Sequence, residues 1–231
     1  MKTLIIVPAY NEEESLAGVI GDLRRHVPSA EVLVVNDGSC DGTGRIARDQ
    51  GVRCIVLPFN LGIGGAVQAG YLYAERNGYE VAVQFDGDGQ HLAKEIHKLI
   101  DEVASGKADL VIGSRFLVPG SYTAPLFRRM GIKVFSVILS RILDTTVTDS
   151  TSGFRAANRK VIEFFAHTYP EDYPEVEALV LLHKRELRVR EIPVMMQERT
   201  GGISSITPLR SLYYMTKVLL AIFIDLMKKV R

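Results

Sequence analysis

Two aspartates one residue apart, Asp86 and Asp88, close an apolar run in VQFDGDGQH. In an extended segment both side chains would face one side; in a turn both can converge on one cation. Carboxylate oxygens suit Mg²⁺ or Mn²⁺, which keep coordination positions for waters and substrate phosphates. Gly87 and Gly89 allow close backbone approach and unusual dihedrals, and Gln90 or His91 can add a ligand. A solvated Asp-Gly turn would use the same residues, because D-x-D is short and common. In VVNDGSCDGT, Asp37 follows a strand-like run, where its carboxylate can hydrogen-bond a ribose or a base edge. Asp41 suits the N-cap of the next helix.

Basic residues stand where phosphate could be met. Arg115 ends a strand in VIGSRF, Arg155 lies in SGFR, and Arg199 opens the Gly/Ser loop ERTGGISSIT. Arg128, Arg129 and Lys133 fall on one predicted helix, with Arg129 and Lys133 on a shared face at i,i+4. Arginines beside a cation suit a ligand with more than one phosphate. A solvated surface charge is the alternative for each, and the preferred one for Arg128.

Other chemistries are disfavoured. The glycines of NLGIGGAVQAG miss the sixth position of G-x-G-x-x-G, which is Val67, and follow the third strand rather than the first. Helix-start geometry and close packing explain most of them. No P-loop and no nucleophile elbow is present, and His26, His97, His167 and His183 fit helix surfaces. A net charge of +1 gives no whole-molecule attraction to nucleic acid. Cys40 and Cys54 have no metal spacing and read as free thiols in a reducing cytosol.

The elements that must position these residues alternate. Apolar, β-branched runs at 3–7, 31–35, 54–57, 81–85 and 110–112 are separated by helical patterns at 12–26, 43–50, 63–77 and 93–105. Such alternation predicts an α/β fold with a mostly parallel sheet covered by helices on both faces. Helices are also expected at 128–143, 159–166 and from Pro174, with Asp172 as its cap, and a strand over 188–197. The polar turns cluster at strand carboxyl ends, where open α/β sheets bind ligands.

IIVPAYNEEESL, VLVVNDGSCDGT, NLGIGGAVQAGY, FDGDGQH, VIGSRF and DSTSGFRA follow one another in order over residues 5–156, and RTGGISS comes after. Together they resemble family-2 glycosyltransferases of the GT-A fold, within them the dolichol-phosphate mannose synthase-like enzymes and their bacterial undecaprenyl-phosphate glycosyltransferase relatives. The resemblance implies a Rossmann-like, mostly parallel central sheet flanked by helices and a nucleotide-diphosphate-sugar donor, with UDP-glucose the expected one. It implies that Pro8, Ala9, Tyr10, Glu12 and Asp37 hold the nucleotide. Asp86, Gly87 and Asp88 would hold the donor diphosphate through Mg²⁺ or Mn²⁺, with Gln90 a further metal ligand. Arg199 would reach the donor phosphates, and Arg115, Arg129 and Lys133 would gather the acceptor phosphate of a polyprenyl (undecaprenyl or dolichyl) phosphate. Asp149 would orient the acceptor, act as a base toward a hydroxyl acceptor, or cap its own loop. The expected activity is an inverting, metal-dependent hexosyl transfer. Its rivals are transfer to a sugar hydroxyl in cell-surface polysaccharide synthesis and a catalytically silent nucleotide-sugar-binding subunit of a membrane complex.

Many proteins with these motifs continue into transmembrane helices. Here SLYYMTKVLLAIFIDLMKKVR is interrupted by Lys217 and Asp225, whereas a span needs roughly 20 mostly apolar residues. Leu212, Met215, Leu219, Ile222 and Leu226 share one helical face, with Arg210, Lys217 and Lys228 on the opposite one. This C-terminal amphipathic helix can lie in a membrane interface, dock on a small integral membrane partner protein, or pack on the core. The expected parse is a catalytic domain over 1–206 and the helix over 207–231. The expected location is cytoplasmic, peripheral at the inner face of the cell membrane. No nucleic-acid partner is expected, and homo-oligomerisation is left open.

Overall fold

The computed structural model describes residues 1–117, 126–171 and 174–197, with Lys217 and Leu220 beyond them; the side chains of 126–132 lie outside the description. Among these residues, seven strands form one sheet in the order β3-β2-β1-β4-β6-β5-β7. They are β1 (Thr3–Ala9), β2 (Glu31–Asn36), β3 (Arg53–Val56), β4 (Val81–Gln84), β5 (Leu110–Ser114), β6 (Arg155–Asn158) and β7 (Val189–Pro193). All pairings are parallel except those of β6, which runs antiparallel to both β4 and β5. The mostly parallel sheet expected from the alternating pattern is what the chain forms.

Helices cover both faces. They are α1 (Leu16–His26), α2 (Thr43–Asp49), α3 (Gly62–Arg76), α4 (Ile96–Ala104, after a 3-10 turn at Ala93–Glu95), α5 (Leu126–Leu143), α6 (Arg159–His167) and α7 (Pro174–Lys184). Strand alternation divides the core. Leu4 and Ile6 of β1 pack with α3, α5, α6 and α7, while Ile5 and Val7 pack with α1, α2 and α4. Burial on both faces explains why β1 reads as an unbroken apolar run. Pro8 is tolerated in this central strand because β4 pairs only with Thr3–Ile6, so the missing N–H lies past that ladder.

Some boundaries differ from expectation. α1 begins at Leu16 rather than residue 12, because 10–15 forms a turn held by side chains of the next loop. The helix expected from 93 opens as a 3-10 turn. Pro174 does begin α7, where its missing N–H costs nothing; Asp172 lies outside the described residues. Of the amphipathic helix expected over 207–231, only Lys217 and Leu220 are described, both helical and exposed. Among the described residues, no helix is long and apolar enough to cross a membrane.

Candidate active site

Strand order reverses between β1 and β4: the chain builds outward to β3 on one side, then crosses to β4 on the other. A crevice at the carboxyl ends of such strands is the usual ligand position in open α/β sheets. Here it is a cleft of about 290 Å³, lined by Pro8, Ala9, Tyr10, Glu12, Asp37, Asn60, Gly62, Ile63, Ala66, Asp86, Gly87 and Asp88. Every residue expected to hold the nucleotide or the donor diphosphate through the D-x-D turn is therefore on one surface. Four of them are carboxylates (Glu12, Asp37, Asp86 and Asp88), and no described Lys, Arg or His side chain lines the cleft.

Two loops are laced together on the β1 and β2 side. Asn11, at φ 55°, donates its N–H to Ser39 Oγ at 3.0 Å and accepts from the Cys40 N–H at 2.9 Å. The Glu12 N–H donates to Thr43 Oγ1 at 2.9 Å, and Glu13 Oε2 accepts from the Gly42 N–H at 2.8 Å. The N-cap of α2, expected at Asp41, is Gly42; Asp41 stands one residue earlier and accepts from the Thr43 N–H at 2.9 Å as a turn before the helix. Asp37 spends both oxygens on the entry to α3, accepting from the Leu61 N–H at 2.7 Å and the Gly62 N–H at 2.9 Å. Gly38 must be glycine: its φ is +68°, and a Cβ would lie 2.7 Å from the Asn60 nitrogen.

The acidic turn follows β4. Asp88 Oδ1 accepts from the Gln90 N–H at 3.0 Å, closing an Asx-type turn. His91 is buried, stacks on Phe154 at 4.8 Å and places Nε2 3.0 Å from Asp86 Oδ2. The imidazole thus orients Asp86, which answers the question left open for His91 with a role behind the carboxylate. Burial works to raise the Asp86 carboxyl, but His91, the Gln84 amide and Arg115 outweigh it and hold it below the ordinary carboxylate value. Gly153 backs this arrangement, since a Cβ there would sit 2.7 Å from Asp86 Oδ2. Ser15 joins the two loop systems, donating to the Gly87 carbonyl at 2.7 Å. Two carboxylates on the cleft lining, Asp86 and Asp88, are hard-oxygen donors of the kind Mg²⁺ or Mn²⁺ takes, and among the described residues no third His, Cys, Asp or Glu joins them in a cluster. Gln90 lies in the turn but not on the cleft lining.

Arg115 and Asp149 form a second centre beyond β5. Arg115 Nε donates to Asp149 Oδ2 at 2.7 Å and Nη2 to Oδ1 at 2.6 Å, with the pair 6% and 0% exposed. Nη2 also reaches Thr151 Oγ1 at 3.0 Å. Neither residue lines the cleft. Lys133 is exposed on α5 and does not line it either. The Arg129 side chain and Arg199 lie outside the described residues. Arg155 is no surface charge: it is 1% exposed and donates to the carbonyls of Ser152 at 2.8 Å and Glu175 at 2.7 Å.

Comparison with known proteins now assigns the family. The family model described as glycosyl transferase family 2 matches residues 4–165. The chain belongs to glycosyl transferase family 2. It is 33% identical over 222 residues to polyprenol monophosphomannose synthase of Mycolicibacterium smegmatis, covering 89% of this chain and 81% of that one. It is 36% identical over 217 residues to undecaprenyl-phosphate mannosyltransferase of Micrococcus luteus, covering 90% and 88%. Among solved structures it superposes on glucosyl-3-phosphoglycerate synthase of Mycobacterium tuberculosis, in complex with Mn²⁺, UDP and phosphoglyceric acid. That match has a TM-score of 0.72 at 19% identity, covers 99% of this chain and 80% of that one, and shows a shared fold.

Sequence reasoning missed several residues of this family-2 site. Asn60 and Ile63 reach the cleft only because Asp37 anchors the start of α3. Ser15 was hidden inside an expected helix. Gln84 reaches Asp86 from two residues back at the end of β4, and Gly153 comes against it from the segment just before β6, which the antiparallel pairing of β6 with β4 brings near.

Proposed function

We propose that this glycosyltransferase moves a hexosyl group from a nucleoside-diphosphate sugar to polyprenyl phosphate, with inversion at the anomeric carbon. The observation that carries the donor is the acidic cleft at the strand reversal. A diphosphate entering among four carboxylates needs a divalent cation between the like charges. Asp86 and Asp88, with Gln90 beside them, are the residues that would hold it, and it would offset the charge on the departing diphosphate. Pro8, Ala9, Tyr10, Glu12 and Asp37 would form the nucleotide wall, and Arg199, outside the described residues, is the residue the resemblance assigns to the donor phosphates. The acceptor rests on the likeness to polyprenol and undecaprenyl-phosphate mannosyl enzymes.

A phosphate monoester has a second pKa of about 6, so near pH 7 it is mostly dianionic and needs no strong base. Its oxygen attacks the anomeric carbon while the bond to the nucleoside diphosphate breaks and the electron pair leaves with the diphosphate. Arg115, Arg129 and Lys133 would steady the incoming phosphate. Asp149 is wholly buried with both oxygens on Arg115, which favours orienting that guanidinium over taking a proton. This also favours a phosphate acceptor over a sugar hydroxyl. The enzyme would work peripherally at the cytoplasmic membrane face, its C-terminal helix on lipid or on a small membrane partner.

The test is incubation with polyprenyl phosphate, Mg²⁺ or Mn²⁺ and a panel of donors, followed by mass spectrometry. UDP-glucose is the donor expected from sequence; the two mannosyl relatives put mannosyl donors beside it in the panel. A polyprenyl-phosphate hexose is the expected product. Sugar appearing only on glycan hydroxyls would reject the lipid acceptor, and donor binding without turnover on any acceptor would favour a silent subunit. Deleting residues 208–231 should release the protein from membranes in a flotation assay.

A further inference from the structure

Strand β7 and the chain just after it touch both halves of the site. Glu191 of β7 turns its carboxylate toward the turn that carries Asp149. Its Oε1 accepts from the Asp149 N–H at 2.9 Å, and its Oε2 from the Thr148 N–H at 2.8 Å and the Thr148 hydroxyl. Asp149, fixed in this way, clamps Arg115 through its side chain and also accepts the Arg115 N–H at 3.1 Å. At the end of the same segment, Gln197 donates its N–H to the Gln90 carbonyl at 3.0 Å and its side-chain amide to the Gly89 carbonyl at 2.6 Å. Met196 forms a β-bridge with His91, whose ring holds Asp86. Gln197 thus grips the acidic turn without lining the cleft.

We propose that Glu191 and Gln197 are positioning residues for sugar transfer. Glu191 sets the Arg115–Asp149 pair on the acceptor side. Gln197 sets the Gly89–Gln90 turn on the donor side, two residues before Arg199. Neither lines the cleft. One strand and its extension therefore hold the two substrate positions in register. The inference rests on the proposed transfer to polyprenyl phosphate for its acceptor half; its donor half requires only nucleoside-diphosphate binding.

The physical basis is the cost of orphaned groups. Without the Glu191 carboxylate, two backbone N–H groups lose their acceptor, and the Thr148 hydroxyl is left with Ser114 Oγ. Without the Gln197 amide, the Gly89 carbonyl loses a donor inside the turn that must present Asp88.

The test uses the full chain, acceptor kinetics with polyprenyl phosphate, and calorimetry with UDP and GDP in the presence of Mn²⁺. Glu191→Gln places an amide NH₂ against one of those donors, and should raise the acceptor KM about tenfold while leaving nucleotide affinity unchanged. Gln197→Ala should weaken the Mn²⁺-dependent nucleotide Kd by about fivefold and leave the acceptor KM unchanged. Arg190→Ala is the control on the same strand: its guanidinium pairs with Glu102 at the surface, at 3.0 Å, and neither constant should move. If Glu191→Gln fails to fold, Thr148→Val removes one donor and should show the same acceptor-side split. Equal losses for both substrates in each variant, or a lowered melting temperature with both constants unchanged, would overturn the proposal. A wild-type enzyme that makes no lipid-phosphate product would reject the proposed function instead, and the calorimetric arm would still decide the role of Gln197.

Discussion

The two rims of the sheet carry charge differently. At the amino-terminal rim, acids meet bases and donors brought by neighbouring strands. Asp109, just before β5, accepts from the Arg188 N–H at 2.8 Å and from Asn158 Nδ2 at 2.8 Å, with Arg188 Nε at 3.3 Å. Glu31 pairs with Arg53 across β2 and β3, and Glu80 accepts from the Lys2 N–H at 2.6 Å. At the carboxyl-terminal rim, four carboxylates face one cleft with no basic side chain among its described lining residues. Gln84 Oε1, His91 Nδ1, Ser150 Oγ and Arg155 Nη1 are buried at this rim without a hydrogen-bond partner among the described residues, as is the Tyr71 hydroxyl on α3. A fold selected only for stability would satisfy both rims. Unpaired buried polar groups gathered beside a cleft mark a site kept for a ligand.

Substitutions should therefore have opposite signatures at the two rims. The largest effect is expected for Asp88→Ala, which should cut turnover about a thousandfold, the scale of losing a group that stabilises transition-state charge. Its melting temperature should fall only slightly, since one turn hydrogen bond from the Gln90 N–H is lost; a folded mutant with full activity would remove the cation from the mechanism. Asp109→Ala should do the reverse. It orphans the Arg188 N–H and the Asn158 amide, so stability should drop by about 2 kcal/mol in urea unfolding, with turnover per folded molecule unchanged. Activity lost beyond that unfolding would show that the rims are not separable.

A metal should act on the carboxyl rim alone. Mg²⁺ or Mn²⁺ at about 100 times its Kd should stabilise the wild type by about 2.7 kcal/mol, and Asp88→Ala should abolish most of that gain in a thermal melt. The smallest effect concerns acid. Burial works to raise the Asp109 carboxyl, but the Arg188 N–H, the Asn158 amide and the Arg188 guanidinium outweigh it and hold its pKa below the ordinary value. Such a group contributes stability above its unfolded pKa of about 3.9, and the contribution is lost as pH falls through the folded value. Asp109→Asn should therefore flatten the decline in stability below about pH 4, measured by urea titration at stepped pH.

Much of the carboxyl rim was legible because its chemistry is local. A D-x-D after an apolar run, or an Asp at the end of one, is visible in a few residues, and strand order then carries Pro8, Asp37 and Asp86 to one edge. The partners were not legible, because they arrive from distant sequence. Glu191 looks like the polar position of an alternating strand, and only the pairing of β7 beside β5 brings it to Asp149. The antiparallel course of β6 was also hidden, since RAAN carries no directional signal. Residues 12–15 are expected to be helical, yet the hydrogen bonds offered by Asp41 and Thr43 hold them as a turn. Tertiary context overrides weak propensity there.

The most direct measurement is calorimetric titration of UDP and GDP into the protein, with Mn²⁺ and again in EDTA. A diphosphate among Glu12, Asp37, Asp86 and Asp88 should bind only when a cation offsets the like charges, so measurable affinity with Mn²⁺ for at least one nucleotide, and at least tenfold weaker binding in EDTA, is the expected result. Equal affinity in both conditions would contradict a cation-bridged diphosphate in this cleft.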